Sequence, residues 1–127
     1  MTPEAARYLT EAREDLHEAR QIFAINLARV AARSAYYAAF HAAEAFIVET
    51  TGRVAKTHNG VRSEFARLVK DNPVIPRAPT TFLAQSYEFK EVSDYSVDPN
   101  AAVTMANAES AIRSALEFVE VIEAALG

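Results

Sequence analysis

The stretch Arg33-Ser34-Ala35-Tyr36-Tyr37-Ala38-Ala39-Phe40-His41-Ala42-Ala43-Glu44 decides the fold of this chain. Its apolar residues recur with helical spacing, which predicts a helix from about Leu27 to Thr51 that Gly52 ends. A helix that is apolar on more than one side lies at the centre of its bundle or against a partner chain. This one has a seam of small residues closed by a phenylalanine, and beside it a second apolar stripe: Ala28, Ala32, Ala35, Ala39, Ala42 and Phe46, then Tyr36, Phe40, Ala43 and Ile47.

The segments on both sides of this helix also have the helical period. Before it, Thr2 is suited to cap a first helix and Pro3 to begin it, and the apolar stripe runs from Ala5 to Phe23. We therefore predict an all-α fold, an up-and-down antiparallel bundle of about five helices, in a single domain over residues 1–127. The three later helices are predicted from His58 to Lys70, from Thr80 to Tyr95 after an extended stretch with Pro76 and Pro79, and from Asn100 to Leu126 after the start signal Asp98-Pro99.

Length and composition exclude several classes of protein. The chain has 127 residues, 50% of them hydrophobic, which is enough to form a core without a metal or a disulfide. It has 0 Cys, which excludes disulfide frameworks, cysteine–zinc sites and thiol catalysis. The longest uncharged apolar run, Ser34 to Ala43, is far shorter than the roughly 18 residues of a membrane span. The first residues have no basic region before an apolar core, so we expect a cytoplasmic protein.

Charge is distributed unevenly along the chain. The formal net charge is −4, but residues 53–77 contain six basic residues and two acidic ones, a local charge of +4. Such a segment can attract an anion such as RNA, or it can be a solvated helix face that happens to be basic. Its basic residues are Arg53, Lys56, Arg62, Arg67, Lys70 and Arg77.

The run from Arg33 to Glu44 resembles the signature of the HEPN family, in particular its small stand-alone prokaryotic branch. Two later elements are similar to that branch at the right distances, Lys56-Thr57-His58 and Asp94-Tyr95. The resemblance implies a helical bundle that is usually a homodimer and that often has a minimal nucleotidyltransferase as its partner. It also implies a toxin-like role, in which the family member is a metal-independent ribonuclease that the transferase silences.

The family's catalytic motif is an Arg followed, after four to six residues, by a His. In this chain Lys90 stands where the branch commonly has Arg, and Tyr95 comes where a His would complete the motif. RNA cleavage needs a base near the 2′-hydroxyl, an acid near the leaving 5′-oxygen and a cation for the phosphorane charge. The resemblance therefore makes Lys90, Asp94, Tyr95 and His58 the candidate catalytic group, with an incomplete motif. Arg53 and His58 also fit the motif as text, but they stand before the third helix rather than at the family position.

A polar stripe of the central helix contains Arg33, Tyr37, His41 and Glu44 at spacings of four, four and three. It is either a groove at the dimer seam that binds a phosphate or a base, or a set of polar groups bonded to neighbouring helices. His41 could pair with Glu44. Asp94 likewise is either a site residue or the structural partner of Arg33. The candidate binding residues are Arg33, Tyr37, His41, Arg53, Lys56 and Arg62.

Two functions remain open at this level. One is an RNA-directed, toxin-like ribonuclease or its degenerate descendant, and the other is a non-catalytic dimeric module that docks a nucleotidyltransferase or binds a nucleotide. No cofactor is predicted. No metal site is predicted either, because His17, His41 and His58 lie on three separate segments and no His-x-x-x-His pair occurs on one helix.

Overall fold

The computed structural model describes residues 1–95, 97–98 and 102–127, without the side chains of residues 77–80, 89, 92 and 93. Within these ranges the chain is helical and has no strand, so the predicted all-α class is confirmed. The helices are α1 (Pro3–Ala24), α2 (Ala28–Thr51), α3 (His58–Val69), α4 (Arg77–Tyr95) and α5 (Met105–Leu126).

Local sequence signals set most of the helix ends. Thr2 caps α1, since its side chain accepts a hydrogen bond from the amide of Ala5 at 3.2 Å, and a proline occupies the first turn. Gly52 ends α2 with a φ of 73°, a left-handed conformation that glycine adopts without steric cost. Thr57 caps α3 through the amide of Gly60 at 2.9 Å, which makes His58 the first residue of that helix.

Two predicted helix starts were wrong. Helix α4 begins at Arg77, before Pro79, because a proline in the first turn removes an amide that has no helical partner there. Helix α5 begins at Met105, where Thr104 and Asn107 form a reciprocal cap. Residues 102–104 are not helical, and the predicted signal at Pro99 and Asn100 lies outside the described residues.

Helix α2 is the centre of the bundle and packs against all four other helices. Its alanine seam is closed within the chain, since Ala35, Ala39 and Ala42 are fully buried. The apolar surface that favoured a partner chain is therefore covered by the chain's own helices, and the homodimer remains a prediction. The central position of α2 lets one of its faces meet α3 and α4 while another meets α1. None of the described helices combines the length and apolar composition that crossing a membrane requires.

Candidate functional site: a histidine among aromatic rings and cations

His58 is held against the central helix by a buried tyrosine. The Tyr36 hydroxyl lies 2.7 Å from His58 Nδ1, and the two rings are stacked with centroids 5.8 Å apart. Tyr36 is fully buried, and burial raises the pKa of its phenol, which therefore stays protonated. Since this bond occupies Nδ1, the imidazole is fixed in orientation and Nε2 is the nitrogen that can meet another group.

Further aromatic rings surround the imidazole. The ring of Phe40 lies 4.6 Å from that of His58, and the rings of Tyr37 and Tyr87 each lie 5.8 Å away. These side chains come from α2, α3 and α4, so the packing of three helices assembles them. We call this group, together with Tyr36, Arg62 and Lys90, the His58 cluster.

The cations of the cluster act on the imidazole. Burial lowers the pKa of His58, and the nearby positive charges of Lys90 and Arg62 lower it further. The pKa therefore lies below its ordinary value of about 6.5, and the imidazole is mainly neutral at neutral pH. A neutral imidazole can accept a proton, which is what a general base must do.

Arg62 is placed to bind an anion. Its guanidinium carbon lies 4.0 Å from the centroid of the Tyr87 ring, a cation–π contact between α3 and α4. Among the described side chains, Arg62 Nε is buried without a hydrogen-bond acceptor. A buried donor left without a partner costs free energy, so an acceptor oxygen brought to this nitrogen would be favoured.

Lys90 and Arg33 share one carboxylate at the edge of the cluster. Asp94 Oδ2 lies 3.0 Å from Lys90 Nζ, and Asp94 Oδ1 lies 3.0 Å from Arg33 Nε. Burial acts to raise the pKa of Asp94, but the hydrogen bond from Lys90 and the charge of Arg33 outweigh it and the pKa is lowered. Lys90 is only 8% exposed, and its bond to Asp94 raises its pKa, so it stays charged. The sequence left open whether Asp94 is a site residue or the structural partner of Arg33, and the pairing with Arg33 is observed.

The structure brings most of the predicted site residues together, but not all of them. Lys90, Asp94 and His58 belong to one neighbourhood, which Arg33, Tyr37 and Arg62 join. Tyr95 lies on the rim, with 74% of it exposed and Lys90 Nζ 5.8 Å from its ring. Arg53 and Lys56 are exposed in the loop before α3, and Arg53 lines a separate cavity of about 300 Å³ that His58 does not line.

The predicted polar stripe of α2 divides between two neighbours. Arg33 pairs with Asp94 of α4, and its guanidinium carbon lies 5.2 Å from the centroid of the Tyr37 ring, one turn further along α2. His41 turns to α1 and pairs with Asp15 rather than with Glu44, at 2.6 Å from Nδ1 to Oδ2. Burial acts to lower the pKa of His41, but the hydrogen bond and the negative charge of Asp15 outweigh it and the pKa is raised. The His41 ring still packs against two rings of the His58 cluster, 5.7 Å from Phe40 and 6.2 Å from Tyr37, but its charged partner is on α1.

Sequence reasoning placed three important residues in the core only. Tyr36 and Phe40 belong to a predicted apolar stripe, and Tyr87 is an apolar position of the predicted fourth helix, yet all three form the walls around His58. The spacing of four between Tyr36 and Phe40 gave a signal that they share a face of α2. Which residues this face of α2 contacts depends on where α3 crosses α2, and the sequence does not state that.

The fold and this cluster define a small all-α protein with a histidine set among aromatic rings and cations at the meeting point of three helices. Residues 5–125 match the family described as the HEPN domain, so the chain belongs to the HEPN family. The predicted resemblance is thereby confirmed.

Two individual proteins are similar to the chain. One, from Methanocaldococcus jannaschii, is named as a candidate toxin and is 34% identical over 115 residues, covering 91% of this chain and 83% of that protein. The other is the crystal structure of a protein from Thermus thermophilus, which superimposes with a TM-score of 0.78 at 22% identity and covers 96% of this chain and 98% of that one. The second likeness concerns the fold alone.

Proposed function

We propose that this protein is an RNA-directed, toxin-like member of the HEPN family and that the His58 cluster is a metal-independent site for cleaving RNA. The observation that carries the proposal is the neutral His58, fixed by Tyr36 and flanked by Arg62 and Lys90. The toxin-like role is supported by family membership and by the name of the M. jannaschii relative.

The chemistry of the proposal follows from the positions of these groups. In the tautomer whose Nδ1–H donates to the Tyr36 oxygen, His58 Nε2 is free to take the proton of a 2′-hydroxyl, and the 2′-oxygen forms a bond to phosphorus. Arg62, whose Nε lacks an acceptor, and Lys90 stabilise the negative charge of the phosphorane. The bond from phosphorus to the 5′-oxygen breaks, and that oxygen takes a proton from Tyr95 on the rim. The products are a 2′,3′-cyclic phosphate and a free 5′-hydroxyl.

Cleavage of single-stranded RNA in the presence of EDTA tests this function. We expect His58→Gln to reduce the rate by about 10²- to 10⁴-fold, the usual contribution of a general base. His17→Gln, which replaces an exposed histidine of α1, is the matched control and should cleave at the parent rate. Cleavage that survives His58→Gln in a folded protein would refute the assignment of the base.

A second function is favoured by one specific observation. Asp94 already forms ion pairs with both Lys90 and Arg33, and a site whose cations are paired internally is suited to binding rather than to catalysis. On this alternative the chain is a non-catalytic, homodimeric module that docks a minimal nucleotidyltransferase or binds a nucleotide. Absence of cleavage by every variant, together with a stable complex with such a transferase in size-exclusion chromatography, would establish the alternative.

A further inference from the structure

Three potential metal ligands converge between α1 and α2, where the His41 ring packs against Tyr37 and Phe40 at the border of the His58 cluster. They are Glu11 and Asp15, one helical turn apart on α1, and His41 on α2. One donor atom from each lies within 4.8 Å of the other two. Asp15 is 9% exposed and Glu11 is exposed, so one ligand is held in the helix interface while another can adjust from the surface.

The space beside these donors can hold an ion with its water. A cavity of about 380 Å³ opens there, and Glu11 and His41 line it together with Glu4, Arg7 and Tyr8. Arg7 brings a positive charge to this lining, but it stands on α1 between two carboxylates, three residues after Glu4 and four before Glu11. Two carboxylates and an imidazole leave coordination positions that water would occupy.

The donor set selects a class of metal. Imidazole nitrogen with carboxylate oxygen suits first-row transition-metal dications such as Zn²⁺, and it is a poor set for Ca²⁺ or Mg²⁺, which take oxygen ligands. Metal–ligand bonds of about 2.0–2.2 Å require the three donors to lie within about 4.4 Å of each other. The donors lie within 4.8 Å of one another, so binding would draw them slightly closer, and the exposed Glu11 side chain has room to move.

We propose that Glu11, Asp15 and His41 bind one transition-metal dication, which fastens α1 to the central helix. The ion takes the place of the hydrogen bond between Asp15 and His41 in joining α1 to α2, so its role is structural. RNA cleavage at the His58 cluster does not depend on it, and either proposal can fail without the other.

Titration of the untagged protein with Zn²⁺ by calorimetry, and with Co²⁺ by visible absorption, tests the site. We expect one ion per chain, a Co²⁺ spectrum with nitrogen ligation and a higher unfolding temperature with Zn²⁺. Asp15→Asn and His41→Gln should each weaken binding at least tenfold. Glu14→Gln and His17→Gln, at exposed positions of α1, are the controls and should bind as the parent does.

The variant Glu11→Gln keeps the test decisive if the buried changes disturb folding, since Glu11 is exposed. It should also weaken binding about tenfold while the circular dichroism spectrum stays unchanged. Absence of saturable Zn²⁺ binding below about 1 mM would overturn the proposal. Binding that Glu11→Gln leaves unchanged, or that His17→Gln removes, would overturn it as well.

Discussion

His41 and His58 both pack against Tyr37 and Phe40 of the central helix, yet their electrostatic surroundings are opposite. His58 packs among aromatic rings beside Lys90 and Arg62, and its pKa is lowered. His41 is hydrogen-bonded to Asp15 near Glu11 and Glu44, and its pKa is raised. Both imidazoles are partly desolvated, which by itself favours the neutral form. The sign of the surrounding charge therefore decides which histidine can serve as a base and which one attracts cations.

Around His41, the buried carboxylates of Asp15 and Glu44 have hydrogen-bond partners within the fold. Glu44 is 9% exposed, burial raises its pKa, and it accepts a hydrogen bond from Tyr8 of α1. The cationic side leaves Arg62 Nε without an acceptor. A polar group that the fold does not satisfy is the stronger indication of a ligand, which is why the His58 cluster carries the proposed function.

The largest expected effect is on the cationic side. We expect Lys90→Ala to reduce RNA cleavage by about 10²- to 10³-fold, because one fewer cation stabilises the phosphorane. Lys90→Arg keeps the charge and presents two parallel N–H groups that can bind a phosphate bidentately, so it should retain or increase the rate. Arg113→Ala, at a surface pair with Glu109 on α5, is the control. Full activity of Lys90→Ala in single-turnover assays would contradict the assignment.

A change in the central helix α2 should disturb the surroundings of both histidines at once. Ala39 is fully buried in the seam of α2, so Ala39→Leu adds three carbons where no space exists. We expect the free energy of unfolding to fall by about 1–3 kcal/mol, measured by urea denaturation. Ala124→Leu, at an exposed position of α5, should leave it nearly unchanged. Equal stability of Ala39→Leu and the parent would show that the seam can open.

The smallest expected effect is the pH dependence of stability, which should have opposite signs at the two histidines. The raised pKa of His41 stabilises the fold below about pH 6.5, and that stability is lost as the pH rises through the folded-state pKa. The lowered pKa of His58 has the reverse effect, since stability is lost as the pH falls from about 6.5 through the folded-state pKa.

Urea unfolding between pH 5 and pH 8 checks these signs. Compared with the parent, His41→Gln should lose less stability when the pH is raised, and His58→Gln should lose less when the pH is lowered. Titration of the two imidazoles by NMR gives an independent measurement. If His41 and His58 titrate at the same pH, the contrast between their electrostatic surroundings is refuted.

The sequence alone determined the helices and the helix that lies at the centre. Thr2, Pro3 and Gly52 act through their own backbone and nearest neighbours, and the alanine seam marks α2 by its composition, so these features could be predicted from local spacing. The start of α5 could not, because the reciprocal cap of Thr104 and Asn107 competes with the signal at Asp98-Pro99 and a sequence does not rank the two.

Only the tertiary structure decided which side chains meet. A helical spacing places Arg33, Tyr37 and His41 on one stripe, but it does not say that α4 covers one end of that stripe and α1 the other. The Tyr36–His58 bond joins residues 22 apart, and the His41–Asp15 bond joins residues 26 apart. Such contacts depend on how the helices cross, which is set by the close packing of the whole core rather than by any one segment.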